Sequence, residues 1–272
     1  MIGQMASKDE HLALSSGIGL AGVAVSNFED CSSEAFGVFK EEIIECILKP
    51  TRMTAIHYYL YFYQDIEDEL DKLCDAYDAR WIYNFMVVTL DELNINPELS
   101  EPDFENCRDV YGHSDCECNK AIQEWKDYVI GNQEEINKLI IHAAFQVIFQ
   151  SRKFLYDFHL RLATFIEEHM DEIEMKNLNY ISSKKRIKRQ YFPEWLKSAV
   201  FYRDKGTCSQ CRCDLSNLIR VQNTKHIDHI IPLDMFGSND ASNFQLLCES
   251  CNTSKGAKII SPSSVNAPFW NL

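Results

Sequence analysis

Cys208-Ser209-Gln210-Cys211 and Cys248-Glu249-Ser250-Cys251 are two Cys-x-x-Cys pairs in one short segment, and Lys225-His226-Ile227-Asp228-His229-Ile230-Ile231-Pro232 runs between them. Two residues between paired cysteines let a tight turn aim both sulfurs at one ion, and Zn²⁺ takes four thiolates as a tetrahedron at about 2.3 Å. A single pair would read equally well as a redox motif. The second copy makes a structural zinc site the reading, with Cys208, Cys211, Cys248 and Cys251 as ligands. Cys213, beside the first pair, reads as a spare thiol.

The residues around the cysteines predict a hairpin and a helix. Lys225 to Ile231 is rich in β-branched residues and stops at Pro232, and Asn243 to Leu247 reads as a second strand. Gly237, Ser238, Asn239 and Asp240 are loop chemistry between them, and Cys251 to Lys258 suits a short helix. His226 reads as a strand histidine facing solvent. So small a unit buries too little apolar surface to stand alone, which gives a metal staple its physical purpose.

Three stretches resemble the HNH endonuclease family, a branch of the ββα-metal nucleases. They are Arg203-Asp204-Lys205-Gly206-Thr207-Cys208-Ser209-Gln210-Cys211, Ile227-Asp228-His229-Ile230-Ile231-Pro232-Leu233, and the run from Asn243 to Gly256. The resemblance implies phosphodiester hydrolysis. His229 is the expected general base, since an unperturbed imidazole titrates near pH 6.5 and is largely free to accept a proton at neutral pH. Asp228 offers a hard carboxylate to Mg²⁺ or Mn²⁺ and Asn252 an amide oxygen as second ligand. Asn243 orients the histidine or ties down the loop, and Lys255 meets a phosphate from the helix. One carboxylate and one amide imply a weak, exchangeable cleavage ion beside a tightly held zinc. The implied substrate is DNA in double-stranded form. HNH proteins of this build resemble effectors of prokaryotic antiviral defence that work with a protein partner such as an ATPase or sensor. Two competing readings are a non-catalytic zinc module for nucleic-acid or protein binding and the cleavage half of a restriction-type enzyme.

Charge divides the chain. Residues 1–179 carry 34 acidic against 14 basic side chains, a formal −20, and residues 180–272 carry 7 against 13, a formal +6. The expected organisation is α+β: a mainly α-helical, acidic regulatory or partner-binding domain at 1–179, a basic linker at 180–189, and a small zinc-stapled ββα-metal (HNH) nuclease domain at 190–272. Lys184, Lys185, Arg186, Lys188 and Arg189 in the linker are candidate contacts to the phosphate backbone, which dominates nucleic-acid affinity.

The first 179 residues hold less chemistry. Phe36, Phe39, Ile43, Ile44, Ile47 and Leu48 have helical spacing, and Pro50 stops the helix read over Ala35 to Leu48. Gln133 to Met175 reads as helix broken near Gln150-Ser151, and the aromatic run from His57 to Tyr63 reads as core. Cys107, His113, Cys116 and Cys118 form a loose cluster that, from spacing alone, reads as ordinary reduced thiols in a loop rather than a metal site. Eleven cysteines, an odd number, and no charged-then-apolar leader point to a reducing, cytoplasmic setting. The apolar stretch Gly17 to Val25 is nine residues, against the ~20 a membrane helix needs, and reads as a buried segment with no membrane partner.

Overall fold

The computed structural model describes residues 16–76, 78–92, 95–108, 113, 116–217 and 224–261. In chain order these form α1 (Ser16–Ser26), α2 (Phe28–Val38), α3 (Lys40–Leu48), α4 (Ala55–Tyr61), α5 (Ile66–Ala76), α6 (Ala79–Glu92), α7 (Glu117–Gly131), α8 (Gln133–Phe149), α9 (Arg152–Glu168), α10 (Met170–Lys176), α11 (Glu194–Arg203), β1 (Lys225–His229), β2 (Phe244–Cys248) and α12 (Glu249–Lys255). The mostly helical chain with one two-stranded antiparallel sheet is α+β, as the sequence implies.

Two compact units divide the chain, and their border is not the one the charge suggests. The first holds residues 1–24 and 63–147, the second residues 25–62 and 148–272. The helices at 25–62 and 148–176 therefore fold with the cysteine-rich end rather than apart from it. By this division the first unit has 22 acidic and 7 basic residues, formal −15, and the second 19 and 20, formal +1. The asymmetry survives, with the excess acid gathered in the first unit.

Within the first unit, α1 is one-sided rather than buried: Leu20, Ala21 and Ala24 are covered, whereas Ile18 and Val23 remain about half exposed. A side chain at Gly17 would collide with Ala143 of α8, so glycine permits the close crossing of these two helices. No helix among the described residues is long and apolar enough to cross a membrane.

In the second unit, the helix expected over 35–48 is two helices. Phe39 leaves helical geometry (φ −104°, ψ 34°), its N–H still closing α2 on Ala35 O while its carbonyl opens α3 by accepting from Ile43. Its ring packs on Tyr58 and Tyr61, with centroids at 5.9 and 6.4 Å, a tertiary gain that overrides local propensity. The break near Gln150-Ser151 falls where expected, and Ser151 caps α9 by accepting from Phe154 N at 3.3 Å. Phe28, Phe36, Tyr59, Phe154 and Phe158 interlock as the core, in part as edge-to-face pairs 5.2–6.5 Å apart. Within the aromatic run at 57–63, residues 57–61 lie in α4, and His57, Tyr59 and Leu60 are buried.

β1 and β2 pair antiparallel, His229 opposite Phe244 and Lys225 opposite Cys248. β1 ends at His229, two residues before the expected end, because Ile230 N turns to Asn243 O and Ile231 N to the Asn243 side chain. The last turn of α12 closes at Gly256 (φ 51°), short of Lys258. A second cysteine-side anchor is Asp204, fully buried at the end of α11. It accepts from Arg152 and Arg203, and from Leu246 N at 2.7 Å, so one carboxylate ties α9, α11 and β2 together.

The connection between the strands is polar in sequence yet buried in structure. Ser238, Asn239, Asp240, Ser242 and Asn243 are at most 1% exposed. Helix ends satisfy it. Asn239 N and Nδ2 donate to the carbonyls of Ile47 and Leu48, the unpaired acceptors at the C-terminus of α3. Asp240 accepts from Ala55 N, the first N–H of α4, where the helix dipole favours a carboxylate. His159 of α9 meets the Ser242 hydroxyl at 2.9 Å. Gly237 is required by contact: a Cβ there would lie 1.9 Å from Ile231 O.

Residues 180–189, expected as a linker, are a packed turn. Ile181 and Ile187 pair as an antiparallel bridge and are both buried.

Candidate active site and zinc centre

Both cysteine pairs arrive at one place. The first sits in a tight turn after α11, in which Arg212 N donates to Cys208 O and Cys208 N to Cys213 O, and Ser209 N bonds Leu246 O to lock that turn onto β2. The second opens α12, whose N-cap Cys248 accepts from Cys251 N at 3.5 Å. Tetrahedral zinc with sulfurs at about 2.3 Å requires sulfur–sulfur edges of about 3.8 Å. Cys211 and Cys248 stand 3.7 Å apart, and the sulfurs of Cys208, Cys211 and Cys248 all lie within 4.8 Å of one another. Cys208, Cys211 and Cys248 therefore fit a zinc ion, with Cys251, in the first turn of α12, as the expected fourth ligand.

Cys213 is not spare. Its sulfur lies within 4.8 Å of those of Cys208, Cys211 and Cys248, giving the site a fifth thiol. Burial and the neighbouring thiols push it up to about 12. Burial also acts upward on Cys211, but the Cys213 N–H and the surrounding thiols outweigh it and leave this thiol near 7.

His229 is 1% exposed and held on every side. Its carbonyl accepts from Lys255 Nζ at 2.9 Å and from Gln245 Nε2 at 3.3 Å. Its ring lies against Phe244, centroids 4.6 Å apart, and edge-on to Phe192 at 5.8 Å. Nε2 faces Asn239 Oδ1 at 3.4 Å and Nδ1 faces Arg189 Nη2 at 3.5 Å. An oxygen on one side and a guanidinium on the other select the tautomer with hydrogen on Nε2 and the lone pair on Nδ1. Burial, and then the Arg189 charge, lower the imidazole to about 3, so it is neutral at physiological pH.

Asp228, the preceding residue, points to the opposite face of β1 and its Oδ2 pairs with Lys255 Nζ at 2.8 Å. Lys255 is 1% exposed. This corrects the expectation of a lysine offered to phosphate: α12 turns it inward, where it pins both Asp228 and the His229 carbonyl. Asn252, half-buried on α12, lies on the helix that packs against β1. Asp228 and Asn252 carry the oxygen donors that a hard divalent ion takes, and Lys255 already pairs with the carboxylate.

Asn243 works on the backbone. Its side chain accepts from Ile231 N at 2.9 Å and donates to Ile231 O and Ser238 O at 3.1 and 2.9 Å, closing the loop rather than bonding the His229 ring. The ring's amide partner is Asn239, which the sequence offered only as a turn residue. Among the five basic residues at 184–189, Lys185 pairs with Asp171 and Glu174, Arg186 bonds Asp234 O and stacks 3.4 Å over Phe236, and Lys188 bonds Asn179 O. Lys184 and Arg189 are exposed, and Arg189 alone of the five contacts His229.

Residues 208–258 match the family model described as HNH endonuclease. The match covers both Cys-x-x-Cys pairs, β1, β2 and α12, and supports a nuclease-type function for this segment. No curated protein and no solved structure matched the chain.

Proposed function

We propose that the chain is a metal-dependent endonuclease that hydrolyses phosphodiester bonds of DNA, with His229 as general base. The carrying observation is the buried, neutral His229, its Nδ1 lone pair beside the exposed Arg189 and its orientation fixed by Asn239, inside the segment that matches the HNH family. Arg189 binds a non-bridging oxygen of the scissile phosphate and sets it next to Nδ1. His229 takes the proton of the attacking water at Nδ1 while Asn239 keeps the Nε2 hydrogen engaged, so the ring does not rotate away. A Mg²⁺ or Mn²⁺ ion held by Asp228 and Asn252 would stabilise charge on the phosphate and the leaving oxygen. Phe192 and Phe244 exclude water from the inner face of the ring. Zinc at the cysteines is structural.

The charge partition supports double-stranded DNA meeting the second unit, since a formal −15 on the first repels phosphate and leaves that unit for a protein partner. A regulated effector in a defence setting fits this arrangement. Supercoiled plasmid incubated with the full-length protein tests the reading. Nicking that needs Mg²⁺ or Mn²⁺, stops with a chelator and returns on adding the ion supports it; no cleavage of DNA under any divalent ion overturns it.

A further inference from the structure

The first unit contains a second set of metal-ligand side chains, remote in sequence from the knuckles. Cys107, His113, Cys116 and Cys118 each offer one ligand atom, and all four atoms lie within 4.8 Å of one another. Cys118 is buried and the other three are partly covered. From spacing alone they read as loose thiols, because eight residues lie between Cys107 and Cys116. Folding removes that objection.

We propose that these four residues bind a structural zinc ion as a Cys₃His site. The distances fit. A tetrahedral ion with a sulfur at about 2.3 Å and an imidazole nitrogen at about 2.0 Å sets them about 3.5 Å apart. Cys116 Sγ and His113 Nδ1 stand at 3.5 Å. The site is built from two directions. Cys116 is the N-terminal cap of α7, where helix N–H groups favour its thiolate, and Cys118 lies in the first turn of the same helix. His113 is brought in from the connecting segment with its ring edge-on to Phe104, centroids 5.2 Å apart. Phe104 in turn contacts Tyr83 of α6, which contacts Trp125 of α7. His113 adopts φ 50°, a costly backbone for a residue with a side chain, and coordination gives that cost a purpose.

The segment has need of a staple. Among the described residues between α6 and α7 none is in a helix or strand, and a connection this long inside a compact unit is uncommon unless something organises it. Three thiolates and an imidazole are the donor set that favours zinc among abundant divalent ions.

Metal analysis of the full-length protein, purified without chelator, tests this. Wild type should carry about two zinc ions per chain, and Cys107→Ser/Cys118→Ser about one, from the four-ligand stoichiometry of each site. One zinc in wild type, or a Cys107–Cys118 disulfide found by mass under non-reducing conditions, would overturn the proposal. Should the double variant fail to fold, Co²⁺-loaded His113→Cys decides. It keeps four ligands, and its visible spectrum should move toward that of an all-thiolate site. A spectrum unchanged from wild type overturns the proposal, and neither result depends on nuclease activity.

Discussion

Asn239→Asp should damage this protein more than Asn239→Ala, although aspartate is the closer relative in shape. Asn239 is fully buried and its Nδ2 donates to two main-chain carbonyls, Leu48 O at 3.0 Å and Lys188 O at 2.9 Å. Alanine deletes both bonds and leaves two carbonyls unpaired, at a cost of roughly 2–4 kcal/mol for two buried hydrogen bonds. Aspartate deletes the same bonds and aims an unpaired carboxylate at the same carbonyls, which raises the loss to roughly 3–5 kcal/mol. The environment raises the pKa of this new carboxyl in the folded state above its unfolded value, so the protonated form is favoured on folding. The Asp variant should therefore recover stability relative to Ala as pH falls from 7 toward 5, and lose it as pH rises. Both variants should lose cleavage, because the His229 ring loses its Nε2 partner or its support. Urea unfolding of the zinc-loaded chain at several pH values measures this. An Asp variant as stable as wild type at pH 7 would refute the assigned hydrogen bonds and, with them, the tautomer.

Lys255→Ala should destabilise the chain by roughly 3–5 kcal/mol, the usual loss on breaking a buried ion pair, and a melt unchanged from wild type would return this lysine to a surface role. Cys251→Ser should release the knuckle zinc while Cys213→Ser retains it, because the four knuckle thiols complete the tetrahedron; the opposite result in metal analysis would make Cys213 the ligand. Burial lowers His159 to about 3, so unfolded chains take up a proton on it that the folded chain refuses, and stability falls as pH drops below about 6.5. His159→Gln should make the dependence of unfolding free energy on pH shallower by up to about 1.4 kcal/mol per pH unit between pH 6 and 4, and an unaltered slope would contradict that burial.

Much of the cysteine-rich half was legible because its chemistry is local. Paired cysteines two residues apart, a β-branched run ended by proline and a Gly-Ser-Asn-Asp connection each carry their meaning within a few residues, and the two strands and the short helix appear where they read. Contacts made across the chain were not legible. Nothing in Asn239 or Asp240 announces that helix ends at Leu48 and Ala55 will receive them, nor that Lys255 will turn inward to Asp228. The charge step near residue 180 suggested a domain border, yet packing places 25–62 and 148–176 with the knuckles, since composition reports solvent exposure and not which helices share a core. That Cys107, His113, Cys116 and Cys118 would meet was not legible for the same reason: spacing tests only residues delivered by one turn, and these come from a helix start and a long connection.

The central claim is that His229 carries the chemistry, although its ring also packs on Phe192 and Phe244. His229→Ala leaves the knuckle cysteines, Asp228 and Lys255 untouched, so the full-length variant should keep its knuckle zinc and a cooperative melt while losing plasmid cleavage by roughly 10²–10⁴-fold, the usual worth of a general base. Wild-type cleavage rates in a zinc-loaded, folded His229→Ala protein would contradict the account.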